Sequence, residues 1–446
     1  MKYLVPTPKI DLYSDGFNQH DILNRAEKGR QLSELLDRID DPIVVAVDGG
    51  WGSGKSFFLK CWVGAHINEF NKSANIIYFD AYANDYLDDP LISLILAVDV
   101  RLGSQKNESN GLRKVKAAAT KLAKPVTRIG LAMLTYGVSE LTGAATDVLI
   151  GATSKEINGS IDQFWAAEAG RQAAIQQFKE GLELITTGEG GEPKKLVVVI
   201  DELDRCRPDF ALSILETIKH FFSLPNIHFV LGINSKELAN SVRARYGAAF
   251  DAELYLQKFV TASLSLPNDV GERGRKQSSS LIYFQRMADL MSIDSVLVDQ
   301  ALYFLKRREF SRNISLRDMD RFLSVLAFIP QNRSNFSGKI SEVQILIAGL
   351  AVLKAFNPDT YKKAREGSIS MEDIRSAFKI TLPLNSDVDH EARVIHHFFA
   401  TYINPEERDP DKNWGRSNYD FGSGHGKDVM KDYLNDYLET ISFNPT

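Results

Sequence analysis

The residues Gly49-Gly50-Trp51-Gly52-Ser53-Gly54-Lys55-Ser56 fit the pattern G-x-x-x-x-G-K-S/T, and most types in it have a task in binding a polyphosphate. Glycines let the backbone curl until successive N–H groups point inward at an anion, a turn that Cβ atoms would obstruct. Lys55 supplies a point charge for the terminal phosphates, and the Ser56 hydroxyl is placed to ligate Mg²⁺. Phe57 opens the segment that follows and completes the candidate binding set. Trp51 carries no phosphate chemistry; packing over the loop is its expected task.

A second group of candidates lies far downstream. Asp201 and Glu202 follow the apolar run Lys195–Ile200. A carboxylate emerging there from a strand end would hold the metal through water, which suits Asp201. Glu202 points to the other side of the chain and can take a proton from an attacking water as a general base. Taken alone, the two acids would serve equally well as a helix N-cap. Asn234 ends the run FVLGIN and is a candidate to orient the same water, or a plain turn residue. Hydrolysis gathers charge on the γ-phosphate oxygens and calls for an arginine. Arg205, Arg207, Arg243, Arg245, Arg317 and Arg321 are the candidates.

Elements of alternating type must bring these residues together. The β-branched run Ile43-Val44-Val45 precedes the glycine loop, and the helix-compatible segment Phe57–Phe70 follows it. Strand, loop, helix is the order that phosphate binding requires. Further strands are expected at Ala74–Asp80, Lys195–Ile200 and Ile227–Ile233, with helices at Leu91–Arg101, Asp162–Thr187 and Phe210–Phe222. Continuous apolar strands alternating with helices predict an α/β domain with a parallel sheet. Residues 1–20 read as an extended lead-in. From Asp21 a helix with Leu32, Leu35 and Leu36 on one face is expected to cover the sheet edge, its start near the nucleotide base. Strand signals fade from Asn268, giving a core at 21–267, a helical lid at 268–335 and a helical region at 336–446.

A hydrophobic content of 44%, a charged content of 25% and a net charge of −5 describe an ordinary globular chain. The mild acidity argues against a protein that coats nucleic acid. Cys61 and Cys206 read as buried small hydrophobes in a reducing compartment, and the N-terminal residues lack an apolar signal core, so a cytoplasmic location is expected. The insert at about 101–160 opens with eight basic residues between Arg101 and Arg128 against Glu108. This is a solvated helical face, or else a surface for anionic lipid or nucleic acid. Leu131–Thr153 contains Glu140 and Asp147, which speak against a membrane span. Two further patterns lack the context for chemistry. Gly422–Lys427 is glycine-rich without a preceding strand, and His390, His396 and His397 lack a metal-ligand spacing.

GGWGSGKS, YFDAY at 78–82, VVVIDELDRCRPD at 197–209, HFVLGIN at 228–234 and LYLQKFV at 254–260 together resemble the KAP P-loop NTPases. The similarity covers roughly residues 20–330. It implies an ATPase of the additional-strand, catalytic-glutamate division, with Lys55 and Ser56 on phosphate and metal, Asp201 on metal and Glu202 activating water. SLRDMDRFLS at 315–324 is similar to the family's N-P-R-x-x-K-R-x-L-N segment without its proline, which implies that Arg317 senses the nucleotide from the lid. The resemblance further implies self-association or a partner effector, and a setting in phage exclusion. The expected activity is Mg²⁺-dependent ATP hydrolysis coupled to the helical C-terminal part. The rivals are a nucleotide-gated switch with negligible hydrolysis and a nucleic-acid motor using the basic insert.

Overall fold

The computed structural model describes residues 3–6, 8–70, 72, 74–87, 89–103, 109–122, 161–187, 193–221, 223–266, 269–270, 277–306, 314–330, 342–382, 390–407 and 426–439. Five parallel strands form the central sheet: β1 (Val44–Asp48), β2 (Asn75–Asp80), β3 (Leu196–Asp201), β4 (Ile227–Ile233) and β5 (Ala262–Ser265), in the order β2-β3-β4-β1-β5. β3 reads as an unbroken apolar run because both of its faces are covered. Leu196, Val198 and Ile200 enter one core and Val197 and Val199 the other. Parallel pairing sends every C-terminal strand end to one edge, where Asp201 ends β3 and Gly49 and Asn234 follow β1 and β4. β4 lies between the strand that feeds the glycine loop and the strand that bears the acids. It is the additional strand that the resemblance implies.

Helices cover both faces. On one side lie α1 (Phe17–His20), α2 (Ala26–Arg38) and α3 (Lys55–Asn68). α2 starts later than the sequence suggests, because the Asp21 carboxylate takes the N–H groups of Arg25 and Ala26, both at 2.7 Å. The other face is packed by α4 (Pro90–Leu102), α5 (Asn110–Leu122), α6 (Ile161–Thr187), α7 (Pro208–Lys219), α8 (Ser235–Tyr246) and α9 (Ala252–Leu256). Ala174, Phe178 and Leu182 form the buried stripe of α6, as their spacing predicts. On α5, Lys114 and Lys116 are paired with Glu180 and Asp99, at 2.7 and 3.3 Å. Leu131–Thr153, and Gly422 to residue 425 of the second glycine-rich pattern, lie outside the described residues.

After β5 the chain does not turn helical at once. A two-stranded antiparallel ribbon, β6 (Asp269–Val270) with β7 (Gln277–Ser278), comes first. Helices α10 (Ser279–Met291), α11 (Ser295–Leu305), α12 (Leu316–Phe328), α13 (Glu342–Phe356), α14 (Pro358–Glu366), α15 (Met371–Phe378), α16 (His390–Ile403) and α17 (Lys427–Tyr433) then share one core. That core draws on helices from both sides of the expected division at 335. Among the described residues no helix is long and apolar enough to cross a membrane.

Candidate active site

The glycine loop bridges β1 and α3. Its entry is pinned to the neighbouring strand by Gly49 N–H on Ile233 O, 3.2 Å, and by Ser235 N–H on the Asp48 carboxylate, 2.9 Å. Gly52 has φ +74°, and a Cβ there would stand 2.8 Å from Arg317 Cβ and from Ser315 Oγ. Only glycine meets both demands without strain. The Lys55 ammonium donates to the carbonyls of Gly49 and Gly50, at 2.6 and 3.1 Å. Burial pulls its pKa down, while Asp204, Asp201 and Asp48 work against that.

The acids stand opposite. Asp201 is buried; its Oδ1 takes the Glu202 N–H at 2.8 Å and its Oδ2 the Tyr78 hydroxyl at 2.7 Å. Burial raises its pKa against those hydrogen bonds. Gly232 lets the carboxylate sit this close to β4, since a Cβ there would lie 2.3 Å from Asp201 Oδ1. Glu202 occupies the left-handed region at φ +59°, a conformation that costs a glutamate about 1–3 kcal/mol and is concentrated at functional sites. Its Oε1 accepts from Ser56 Oγ at 3.2 Å and faces Arg205 Nη1 at 2.9 Å. Ser56, Asp201 and Glu202 thus gather hard oxygen donors in one place, and that donor set fits Mg²⁺.

A cavity of about 370 Å³ extends from these groups. Its polar lining includes the loop residues from Trp51 to Ser56 with Asp201, Glu202 and Arg205. Its apolar lining includes Val5, Pro6, Pro8, Ile22 and Leu23 from the N-terminal segment and Met287 of α10, with Tyr283 beside it. The segment expected to be a mere lead-in therefore builds part of the pocket. Leu316, Arg317 and Asp320 of α12 close the side, and the Leu316 N–H donates to Gly52 O at 2.9 Å.

Of the six candidate arginines, Arg205 and Arg317 line the cavity. Arg207 turns to Asp85 and Arg243 to Glu253, while Arg321 lies 4.0 Å from Asp318. Asn234 stands outside the cavity lining, as the N-cap residue of α8. Three contacts were not foreseen. Trp51 Nε1–H donates to Asp204 at 2.6 Å, which fastens the loop to the turn after β3. Tyr78 reaches Asp201. Arg25, buried before α2, donates to Ser53 O at 2.9 Å, and burial pulls its pKa down to about 10.

A sequence profile described as the KAP family P-loop domain matches residues 26–331. Among solved structures the chain is similar to the ORC2 protein of Aeropyrum pernix in its ADPNP–ADP complexes, with 12% identity, 95% of this chain and 88% of that one covered, and a TM-score of 0.34. It is also similar to a RuvB variant of Thermotoga maritima, with 12% identity, 90% and 92% covered, and a TM-score of 0.29. A comparison with curated proteins found no match. The profile spans more than half of the chain, and the glycine loop, the acidic strand end and the intervening β4 agree with it: the protein belongs to the KAP family of P-loop NTPases.

Proposed function

We propose that the protein is a Mg²⁺-dependent ATPase whose nucleotide state governs how its helical part sits on the P-loop. The observation that carries this reading is the contact of α12 with the loop, Leu316 N–H on Gly52 O at 2.9 Å, with Arg317 lining the same cavity. A group that binds phosphate in that loop meets both halves of the molecule. Loop N–H groups and Lys55 take the terminal phosphates, and Ser56 and Asp201 hold the metal. Mg²⁺, when bound, neutralises charge developing on the phosphate oxygens. Glu202 accepts the proton of the attacking water, and Arg205 or Arg317 faces the γ-phosphate. Asn234 acts on that water only after a movement that brings it to the cavity. The apolar lining contributed by the N-terminal segment and α10 takes the base.

Steady-state phosphate release tests this. Wild type is expected to release phosphate from ATP, and a Lys55→Ala variant is not. Wild type that binds ATP yet releases no more phosphate than Lys55→Ala would sink the hydrolytic reading. One observation favours the rival, a switch that binds without turnover: Arg205 holds the Glu202 carboxylate at 2.9 Å. The same assay separates the two. The motor reading is weakened by the internal ion pairs of Lys114 and Lys116. Self-association, a partner effector and a role in phage exclusion rest on family membership alone. ATP-dependent change in mass by light scattering tests the first of them.

A further inference from the structure

Tyr78 belongs to β2, where its register partner on β3 is Val199, two residues before Asp201. Side chains two apart on a strand share a face, so a ring rising from this level can reach the carboxylate at the strand end. The hydroxyl does so, at 2.7 Å from Asp201 Oδ2. Burial and the neighbouring Asp201 carboxylate push the phenol pKa up from its ordinary value, so the hydroxyl is a donor at neutral pH. Asp201 Oδ1 is held separately, by the Glu202 N–H at 2.8 Å. Each oxygen thus has a fixed donor, the Ser56 hydroxyl adds a further hydrogen bond to the carboxylate, and lone pairs remain for a metal-bound water. Tyr78 is itself anchored: its backbone N–H donates to the Tyr13 hydroxyl at 3.0 Å, and the Arg101 guanidinium lies 3.7 Å over the Tyr13 ring.

We propose that Tyr78 is a positioning residue for the metal site, its hydroxyl fixing the Asp201 carboxylate in the rotamer that receives Mg²⁺ together with nucleotide. This rests on reading Asp201 as the metal carboxylate. Partners that orient a metal's ligands are typically worth 10–100-fold in metal affinity.

The test measures the affinity of a fluorescent ATP analogue in EDTA and in Mg²⁺, for wild type, Tyr78→Phe, Asp201→Asn and the double variant. Phenylalanine keeps the ring and removes only the donor. The expected result is an unchanged affinity in EDTA and a gain from Mg²⁺ that is roughly tenfold smaller in Tyr78→Phe. In Asp201→Asn that gain disappears, and adding Tyr78→Phe to it changes nothing more. A Tyr78→Phe protein with the full Mg²⁺ gain overturns the proposal. So does one weakened equally in EDTA and in the Asp201→Asn background, which marks a purely structural residue. Wild type that binds the analogue with no gain from Mg²⁺ overturns the reading of Asp201, and the proposal with it. Wild type that binds no analogue at all refutes the nucleotide site.

Discussion

Glu202 is held in a backbone conformation it does not prefer, with its carboxylate between Ser56 and Arg205. Replacing it by Gln keeps the shape and the donor contacts but removes the base. Glu202→Gln is expected to bind ATP as wild type does and to lose at least about 100-fold in phosphate release, the usual range for general-base removal. Unchanged turnover would mean that another group takes the proton. Lys55, Ser56, Asp201 and Glu202 were legible in the sequence because each belongs to a short local pattern. The Arg25–Ser53, Tyr78–Asp201 and Trp51–Asp204 bonds were not. Their partners stand 28, 123 and 153 residues apart, and only strand register and the crossing of the N-terminal segment bring them together. No local pattern shows that an indole and an aspartate from two signature stretches will pair.

At the scale of elements, the junction of loop and lid is the most exacting place. α12 begins with a capping box, the Ser315 hydroxyl and the Asp318 carboxylate bonding each other's backbone N–H groups, and its first turn lies on Gly52. Gly52→Ala must either strain a left-handed residue or push α12 away, at a cost of roughly 1–3 kcal/mol. The expected outcome is weaker ATP binding, by about tenfold or more, and a lower melting temperature in the same variant. A titration with labelled nucleotide and a thermal melt check both, and normal values would show that α12 leaves the loop freely. Strands β1 to β4 and most helices were legible because unbroken apolar runs and helical periods mark them, whereas β5, with three of its four residues exposed, carries no such run. The ribbon of β6 and β7 escaped notice because two-residue strands have no period to detect. The pocket wall at Val5–Pro8 escaped for a similar reason, since an extended segment declares no partner.

At the scale of the whole molecule, two buried histidines set a pH window for stability. His66 lies against Ser33 at 2.9 Å and His228 is on β4; burial pulls both down to about 4. In the unfolded chain they protonate near 6.5. Their contribution is therefore complete above that value and is lost as pH falls from about 6.5 towards 4, by up to about 3 kcal/mol for each. Urea unfolding at pH 7.5, 6 and 5 is expected to show the decline, and a flat profile would refute it. The N-terminal segment ties the molecule together over a longer range. Tyr3 stacks on Phe328 at 5.2 Å, while Val5 and Ile22 pack on the core that α10 to α17 share. That core is built by helices on both sides of residue 331, where the family match ends. A fragment excised at the limits of the match, 26–331, would lack the pocket wall at one end and leave half of a hydrophobic core bare at the other. It is expected to aggregate where the full chain stays monodisperse, as light scattering would show. The stretch inherited as a recognisable family unit is thus shorter than the stretch that folds, and dissecting this protein by homology would cut through its interior.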